Sequence, residues 1–380
     1  MKTLKKSLAM LLCAVLMMSM AALVGFAADA AGEGEQIPDC LAWEMQFDQD
    51  AYGLFDTVQA TVTVTNVSDL FLSNLTLTAF SDDFSPFAVF YHQRFLASGA
   101  SCTFSYACRL SPRAAGLPVF ARLLLYLREL LFGAVRGNAV LSDPPSVSLA
   151  QVDFGRYGQH EIKLYGAYDT MTGDSETVAQ VVAQYNAAVE KGTDLQGLLQ
   201  LTYVEGSLKA DGSVGAILKQ LEPSLRKALA NNSSTVDTLP GSGPLLPEDV
   251  LAVSVCEAAN GTEIKLLLAD QIDGFDADPI NGGAVARGFG PLNSVKSALE
   301  ELGASVQSGE DTITMSYTEP TISVTVDNAT GKIVAGTWHD RIVIRVGEAQ
   351  MSLDGMTVSL KNFEAAFDAD IVFSSPAITD

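Results

Sequence analysis

Histidine is scarce in this sequence: His92, His160 and His339 are the only three. They lie in separate stretches, and no H-E-x-x-H pair, G-x-S-x-G elbow, Walker A loop or dinucleotide-binding glycine fingerprint accompanies them. Spacing leaves a Ser-His-Asp triad open, but nothing singles one out. His160 in "GQHEI" and His339 in "TWHDRI" each stand beside an acid, yet adjacent strand residues point to opposite faces, so neither is a ready acid-base couple. Cysteine is nearly as sparse. Five are present, one of them in the N-terminal apolar run, with no C-x-x-C and no Cys/His spacing that suits zinc. Cys102 and Cys108 sit six residues apart on one predicted strand, about 20 Å if extended, too far to bridge each other. Cys40 could close on either, and the pairing among Cys40, Cys102, Cys108 and Cys256 stays open. Positive charge is also short: 23 Lys and Arg oppose 45 Asp and Glu, a formal net charge of −22. Such a chain repels nucleic acid and anionic surfaces at long range, so no nucleic-acid partner is expected.

What the sequence does contain is ample apolar material. Over 380 residues, 48% are hydrophobic, enough for two or three domains with cores of their own. "MKTLKKSLAMLLCAVLMMSMAALVGFA" places Lys2, Lys5 and Lys6 before an uninterrupted apolar run ending in the small residues Gly25 and Ala27. That is the layout of a secretory signal peptide over residues 1–27, with Ala28 to Ala30 as a second cleavage point. Neither Cys13 nor Cys40 lies in a lipobox context. Cleavage removes three lysines and no acid, taking the charge to about −25. The mature chain is expected to be secreted or held at the cell surface, starting with a linker over 28–40.

Residues 41–112 read as antiparallel strands. "TVQATVTVTNVS" alternates Val58, Ala60, Val62 and Val64 with polar residues; "LSNLTLTAF" and "ASCTFSYACRL" repeat the pattern. Turns fall at Asn66 to Asp69 and Ser98 to Ala100. The spacing suggests a β-sandwich. "FDQDAYGLFDTVQATVTVTNVSDLFLSNLTLTAF", followed by "FLASGASCTFSYACRL", resembles the bacterial immunoglobulin-like modules of the CARDB and conserved-repeat type: an acidic turn before a Thr/Val strand, an Asn-x-Ser turn, a Leu/Thr strand, and a Gly-containing turn into the last strand. The resemblance covers about 70 residues and implies a spacer or adhesion module. Phe55 stands where a glycine is usual, and no binding residues carry over.

"LPVFARLLLYLRELLFGAV", residues 117–135, is the longest apolar run of the mature chain, within a segment read as a helix over 115–136. On a helical wheel Arg122, Tyr126, Glu129, Gly133 and Arg136 form one stripe, and the rest of the circumference is apolar apart from Arg128. Nineteen residues would reach about 28 Å, but three charges outweigh the apolar gain of crossing a bilayer. Two readings remain. The helix is packed between domains or in a dimer seam; or it lies in a membrane interface or against another protein, contacting it through Phe120, Arg122, Leu124, Leu127, Arg128, Leu131 and Arg136.

Residues 137–158, with Pro144 and Pro145, read as a linker or edge strand. An α+β domain is then expected over 159–374, with a short tail at 375–380. Helices are predicted at 174–191 with Asp174 as N-cap, near 213–230, and from Pro291 to Leu302. Strands are predicted around 250–256 and 262–269, followed by a β-meander running through Ile313, Met315 and Tyr317; Ile322, Val324 and Val326; Ile342, Ile344 and Val346; and Phe367 to Phe373. One apolar sheet face with helices to cover it could hold a lipid-like ligand. The one carboxylate cluster is "DQIDGFDADPINGG", with Asp270, Asp273, Asp276 and Asp278. Its spacing is not an EF-hand, and the closing glutamate is missing. These four are kept as a weak calcium candidate beside the plainer reading of a solvated loop, and no cofactor or catalytic residue is assigned. The sequence thus points to a non-catalytic bacterial envelope or extracellular binding protein, with an envelope hydrolase using carboxylates, or a purely structural or adhesion module, as alternatives.

Overall fold

The computed structural model describes residues 40–86, 88–111, 114–115, 146–212, 215, 222–223, 226, 234–258, 261–277, 283–290, 296, 304–353 and 356–374. The segment 1–27 expected to be a signal peptide, the apolar run 117–135, most of 213–230 and 291–302, and Asp278 lie outside them. The chain is mostly β and divides into two compact units at Met171/Thr172.

The first unit is a pair of four-stranded antiparallel sheets. One contains β1 (Leu41–Phe47), β2 (Val58–Asn66), β6 (Ser101–Leu110) and β4 (Phe84–Ser85); the other contains β5 (Ala88–Leu96), β3 (Phe71–Phe80), β8 (Gln159–Met171) and β7 (Val147–Asp153), each in that spatial order. The alternation expected for β2 and β6 is present: Val58, Val62, Val64, Cys102, Phe104, Tyr106 and Cys108 face one core with Leu72, Leu75 and Leu77 of β3 and Ile162 and Leu164 of β8. The Asn66 turn has a physical cause. Its side-chain amide donates to the carbonyls of Leu70 and Leu96, and its oxygen accepts from the Ser68 amide and hydroxyl. All four described cysteines are free thiols, with Cys102 and Cys108 buried and Cys256 exposed.

Two sequence boundaries are corrected here. The sandwich does not end at 112, because β7 and β8 complete its second sheet, with β8 between β3 and β7. The second unit accordingly starts at Thr172 rather than at 159. Strand β8 alternates buried and exposed residues as any half-buried strand does, and that pattern carries no information about its partner, some ninety residues earlier.

The second unit is built on a nine-stranded antiparallel sheet. Its path runs β10 (Ser234–Val236), β9 (Gly197–Tyr203), β17 (Met356–Phe373), β16 (Ile333–Leu353), β15 (Ile313–Val326), β12 (Gly261–Leu268) and β11 (Val250–Ala258). β13 (Gln271–Gly274) adds to β15, and β14 (Ala304–Ser308) to β16. The short alternating segments of the sequence are thus joined into three long strands. Two α-helices lie wholly within the described residues: α1 (Ser175–Lys191), as expected, and the short α2 (Ala284–Phe289), which periodicity did not reveal; the helices expected near 213–230 and over 291–302 fall mostly outside those residues. α1 has the expected ends. The Asp174 carboxylate accepts from the Thr177 amide, and the Gly192 amide donates back to the carbonyls of Ala188 and Val189.

The inner face of this sheet carries two apolar clusters. In one, α1 lays Val178, Val181, Val182 and Tyr185 over Leu199, Ile264, Ile322, Trp338, Ile371 and Phe373. The Trp338 indole donates to the Tyr185 hydroxyl at 3.2 Å, so the only polar atom of a fully buried indole is satisfied. The other gathers Leu201, Tyr203, Met315, Tyr317, Ile342, Ile344, Phe363 and Phe367 with Phe275 and with Val285 of α2. α2 is anchored by Arg287, whose guanidinium donates to both carboxylate oxygens of buried Asp249. Among the described residues no helix is long and apolar enough to cross a membrane.

Candidate functional site

The seam between the two apolar clusters passes through Asp340. Along β16 the inner-face positions are Trp338, Asp340, Ile342, Ile344 and Val346; Trp338 belongs to one cluster and Ile342 to the other. Asp340 is 4% exposed and receives no hydrogen bond from a described residue. Across the ladder its partner on β17 is Ala369, which has nothing to donate from its side chain. On the other side β15 bulges: Thr318 pairs with Arg341 and Thr321 with His339, leaving Glu319 and Pro320 opposite Asp340. Glu319 has φ 55°, in the left-handed region, and its amide donates to the Asp270 carboxylate at 3.1 Å. Pro320 has no amide to offer. A bulge of this kind interrupts pairing and re-aims side chains, and it stands directly opposite Asp340.

Burial therefore governs Asp340. It pushes the carboxyl up to about 8, and the charges of Asp370 and Asp368 add to the shift. Asp340 is neutral at neutral pH, and its carboxyl has no hydrogen-bond partner among the described residues. Tyr317, paired with Ile342 on β15, is close enough to be pushed up as well, first by burial and then by the charges of Asp273 and Asp340. Its hydroxyl donates to the Met315 thioether at 3.0 Å, a weak acceptor. Gln271 and Asp273 of β13 pair with Tyr317 and Met315 and so share the inner face. The Gln271 amide donates to both oxygens of Asp273, and its carbonyl accepts from the Ala286 amide of α2. Gly283 makes room for this arrangement, since a Cβ there would stand 2.2 Å from the Gln271 oxygen. Burial raises Asp273 too, against the lowering effect of the Gln271 bond.

The outer face of the same strands is a ladder of polar and charged pairs. His339 Nδ1 lies 2.7 Å from Asp370, Arg341 Nε donates to Asp368 at 2.8 Å, and Glu364 accepts from Lys209 and Arg345. Two cations beside Glu364 lower its carboxyl. His339 is buried, and its Nε2 has no hydrogen-bond partner among the described residues. His160, in the first unit, lies 2.9 Å from Asp83, with Nε2 near the Tyr157 carbonyl. Both histidines thus have an acidic partner, in neither case the neighbouring acid of the sequence. The pairs are set by long-range register.

The four carboxylates of the sequence cluster are not brought together. Asp270 holds the Glu319 amide, Asp273 lies on β13 against Gln271, Asp276 pairs with Lys296, and Asp278 is outside the described residues. Among the described residues no three His, Cys, Asp or Glu side chains converge as metal ligands. The residues named for membrane or partner contact, Phe120 to Arg136, are likewise outside. Sequence reasoning missed Asp340, although a signal was available: extending the Ile342, Ile344, Val346 alternation backwards places an aspartate in an apolar slot, followed by Trp338.

No family model matches this chain, and no curated protein matches it. Among solved structures it aligns with Spo0M, a sporulation control protein from Bacillus subtilis, at 9% identity over 81% of this chain and 79% of that one, with a TM-score of 0.14. A likeness at that level carries no argument about fold or function.

Proposed function

We propose that this chain is a secreted, non-catalytic binding protein of a bacterial cell envelope. Its first unit is an immunoglobulin-like spacer, and its second, an α+β domain, holds a ligand with an apolar body against the inner face of the long sheet. The carrying observation is Asp340, a carboxyl 4% exposed at the junction of two apolar clusters, with no hydrogen-bond partner among the described residues. A core built only for stability gains from an apolar residue in such a slot, since a buried polar group without a partner costs about 1–3 kcal/mol or more. Groups of this kind concentrate where a site has to meet something else. Secretion rests on the N-terminal segment, and peripheral membrane contact rests on residues 117–135.

The test is binding of an uncharged apolar fluorophore, N-phenyl-1-naphthylamine, to the full mature chain. Saturable enhancement at micromolar concentration is expected, competed by long-chain alkyl compounds; its absence rejects the reading. A second reading is favoured by the same residue. A carboxyl held near 8 is suited to general acid-base work at neutral pH, as a carboxylate-based hydrolase would need. That reading requires a turnover lost in Asp340→Asn with the fold retained.

A further inference from the structure

We propose that Asn328 carries an N-linked glycan. The inference goes beyond ligand binding and rests on the secretion reading, since sugar transfer to asparagine takes place on the export side of a membrane. The sequence has six Asn-x-Ser or Asn-x-Thr triplets, beginning at Asn66, Asn74, Asn231, Asn232, Asn260 and Asn328. Such a triplet marks an acceptor only where it lies on the surface of an exported chain, so the fold sorts them. Asn231, Asn232 and Asn260 lie outside the described residues. Asn66 is fully buried, and its Nδ2 donates to the carbonyls of Leu70 and Leu96. A sugar on that atom would stand in the sandwich core and remove one of the two bonds, which the fold does not accommodate. Asn74 is exposed within β3, paired on both sides by β5 and β8, and its Nδ2 is engaged by Asp169 at 2.9 Å.

Asn328 differs from both. It lies in the turn between β15 and β16, where Asn328, Ala329 and Thr330 are all exposed. The turn holds itself: the Asp327 carboxylate accepts from the Thr330 amide and hydroxyl, and the Gly331 amide donates to the Asp327 carbonyl. The Asn328 side chain is fixed through its oxygen, which accepts from the Thr262 hydroxyl of β12 at 2.8 Å, while its Nδ2 has no hydrogen-bond partner among the described residues. N-linkage replaces one hydrogen of Nδ2 and leaves the carbonyl an acceptor. The Thr262 bond and the turn therefore survive the modification. In the transfer, a bond forms between Nδ2 and the anomeric carbon of a sugar carried on a polyprenyl pyrophosphate. The bond from that carbon to the phosphate oxygen breaks, polyprenyl pyrophosphate leaves, and the amide proton passes to a base of the transferase.

The test is mass spectrometry with electron-transfer fragmentation on tryptic peptides of the full chain purified from its native host. The peptide ending at Lys332 is expected to carry hexose or N-acetylhexosamine mass on Asn328, and the Asn66 peptide to be bare. The added mass should be lost in Asn328→Gln and in Thr330→Ala, and kept in Thr330→Ser, which preserves the hydroxyl of the triplet. Should Thr330→Ala fail to fold for want of its bond to Asp327, Asn328→Gln decides alone. A chain that has lost residues 1–27 but is bare at Asn328 overturns the proposal and leaves secretion standing. A chain that still begins at Met1 and is bare overturns both. Sugar on Asn66, or mass on the Lys332 peptide that persists in Asn328→Gln, overturns the assignment to Asn328.

Discussion

Replacing Asp340 by Asn should stabilise the second unit, and by an amount that depends on pH in one direction only. The folded carboxyl sits at about 8 against a reference of 3.8. Between those values the native state holds a proton that the unfolded chain has released, so stability conferred by the neutral acid is fully present below about pH 4 and is lost as pH rises towards 8. From pH 4 to pH 7 the loss is about 4 kcal/mol at 1.36 kcal/mol per unit, or roughly 10 °C in midpoint for a unit of this size. Asparagine has the shape of the neutral acid and does not titrate. The difference between variant and parent should therefore lie near a constant offset at pH 4, grow steadily to pH 7 and level off above pH 8. Carboxyls shifted the other way, such as Asp174, Asp327 and Glu364, contribute stability lost as pH falls, and they cancel in the difference. Urea unfolding followed by tryptophan fluorescence gives the measurement. The sequence has two tryptophans, Trp43 in the first unit and Trp338 in the second, so a Trp43→Phe background makes Trp338 the sole reporter. A difference that does not change with pH would refute the reasoning, because it would mean that Asp340 is ionised and compensated in the folded state.

Other outcomes follow from the same contacts. Tyr185→Phe removes the acceptor of the buried Trp338 indole N–H, and should cost about 1–3 kcal/mol in the same unfolding assay. Arg287→Ala leaves buried Asp249 with only the Leu246 amide, and should cost about 3–5 kcal/mol. Replacing Glu364 by Gln, at a half-exposed cluster with Lys209 and Arg345, should change stability by under about 1 kcal/mol, and less at high salt. In the native protein a thiol reagent should modify exposed Cys256 quickly, while Cys102 and Cys108, buried in the sandwich and with Cys108 pushed up to about 12, react only on unfolding. Mass spectrometry of the modified chain reads this directly.

The sequence carried the local parts of this structure clearly. Period-two alternation marked β2, β6, β15 and β17, and the Asp174 cap with the apolar spacing over 174–191 marked α1, because those signals lie within a few residues of the structure they specify. Partner choice was not local. β8 reads the same whether it joins a sandwich or opens a second domain, and its pairing with β3 depends on which sheet lacks a neighbour. α2 has only six residues, too few for periodicity, and forms where the Gln271 carbonyl receives the Ala286 amide. The candidate site was half legible. Asp340 occupies an apolar position of a readable alternation, but the bulge at Glu319 and Pro320 opposite it, and the register that gives His339 to Asp370, arise only when β15, β16 and β17 assemble.

The central claim is that Asp340 is a neutral carboxyl at physiological pH, held between two apolar clusters with no partner among the described residues. The most direct measurement is the carbon-13 chemical shift of its side-chain carboxyl across pH 3 to 10 in the intact protein, assigned by comparison with Asp340→Asn. A titration midpoint near 8 is the expected result. A midpoint near 4 would contradict the account.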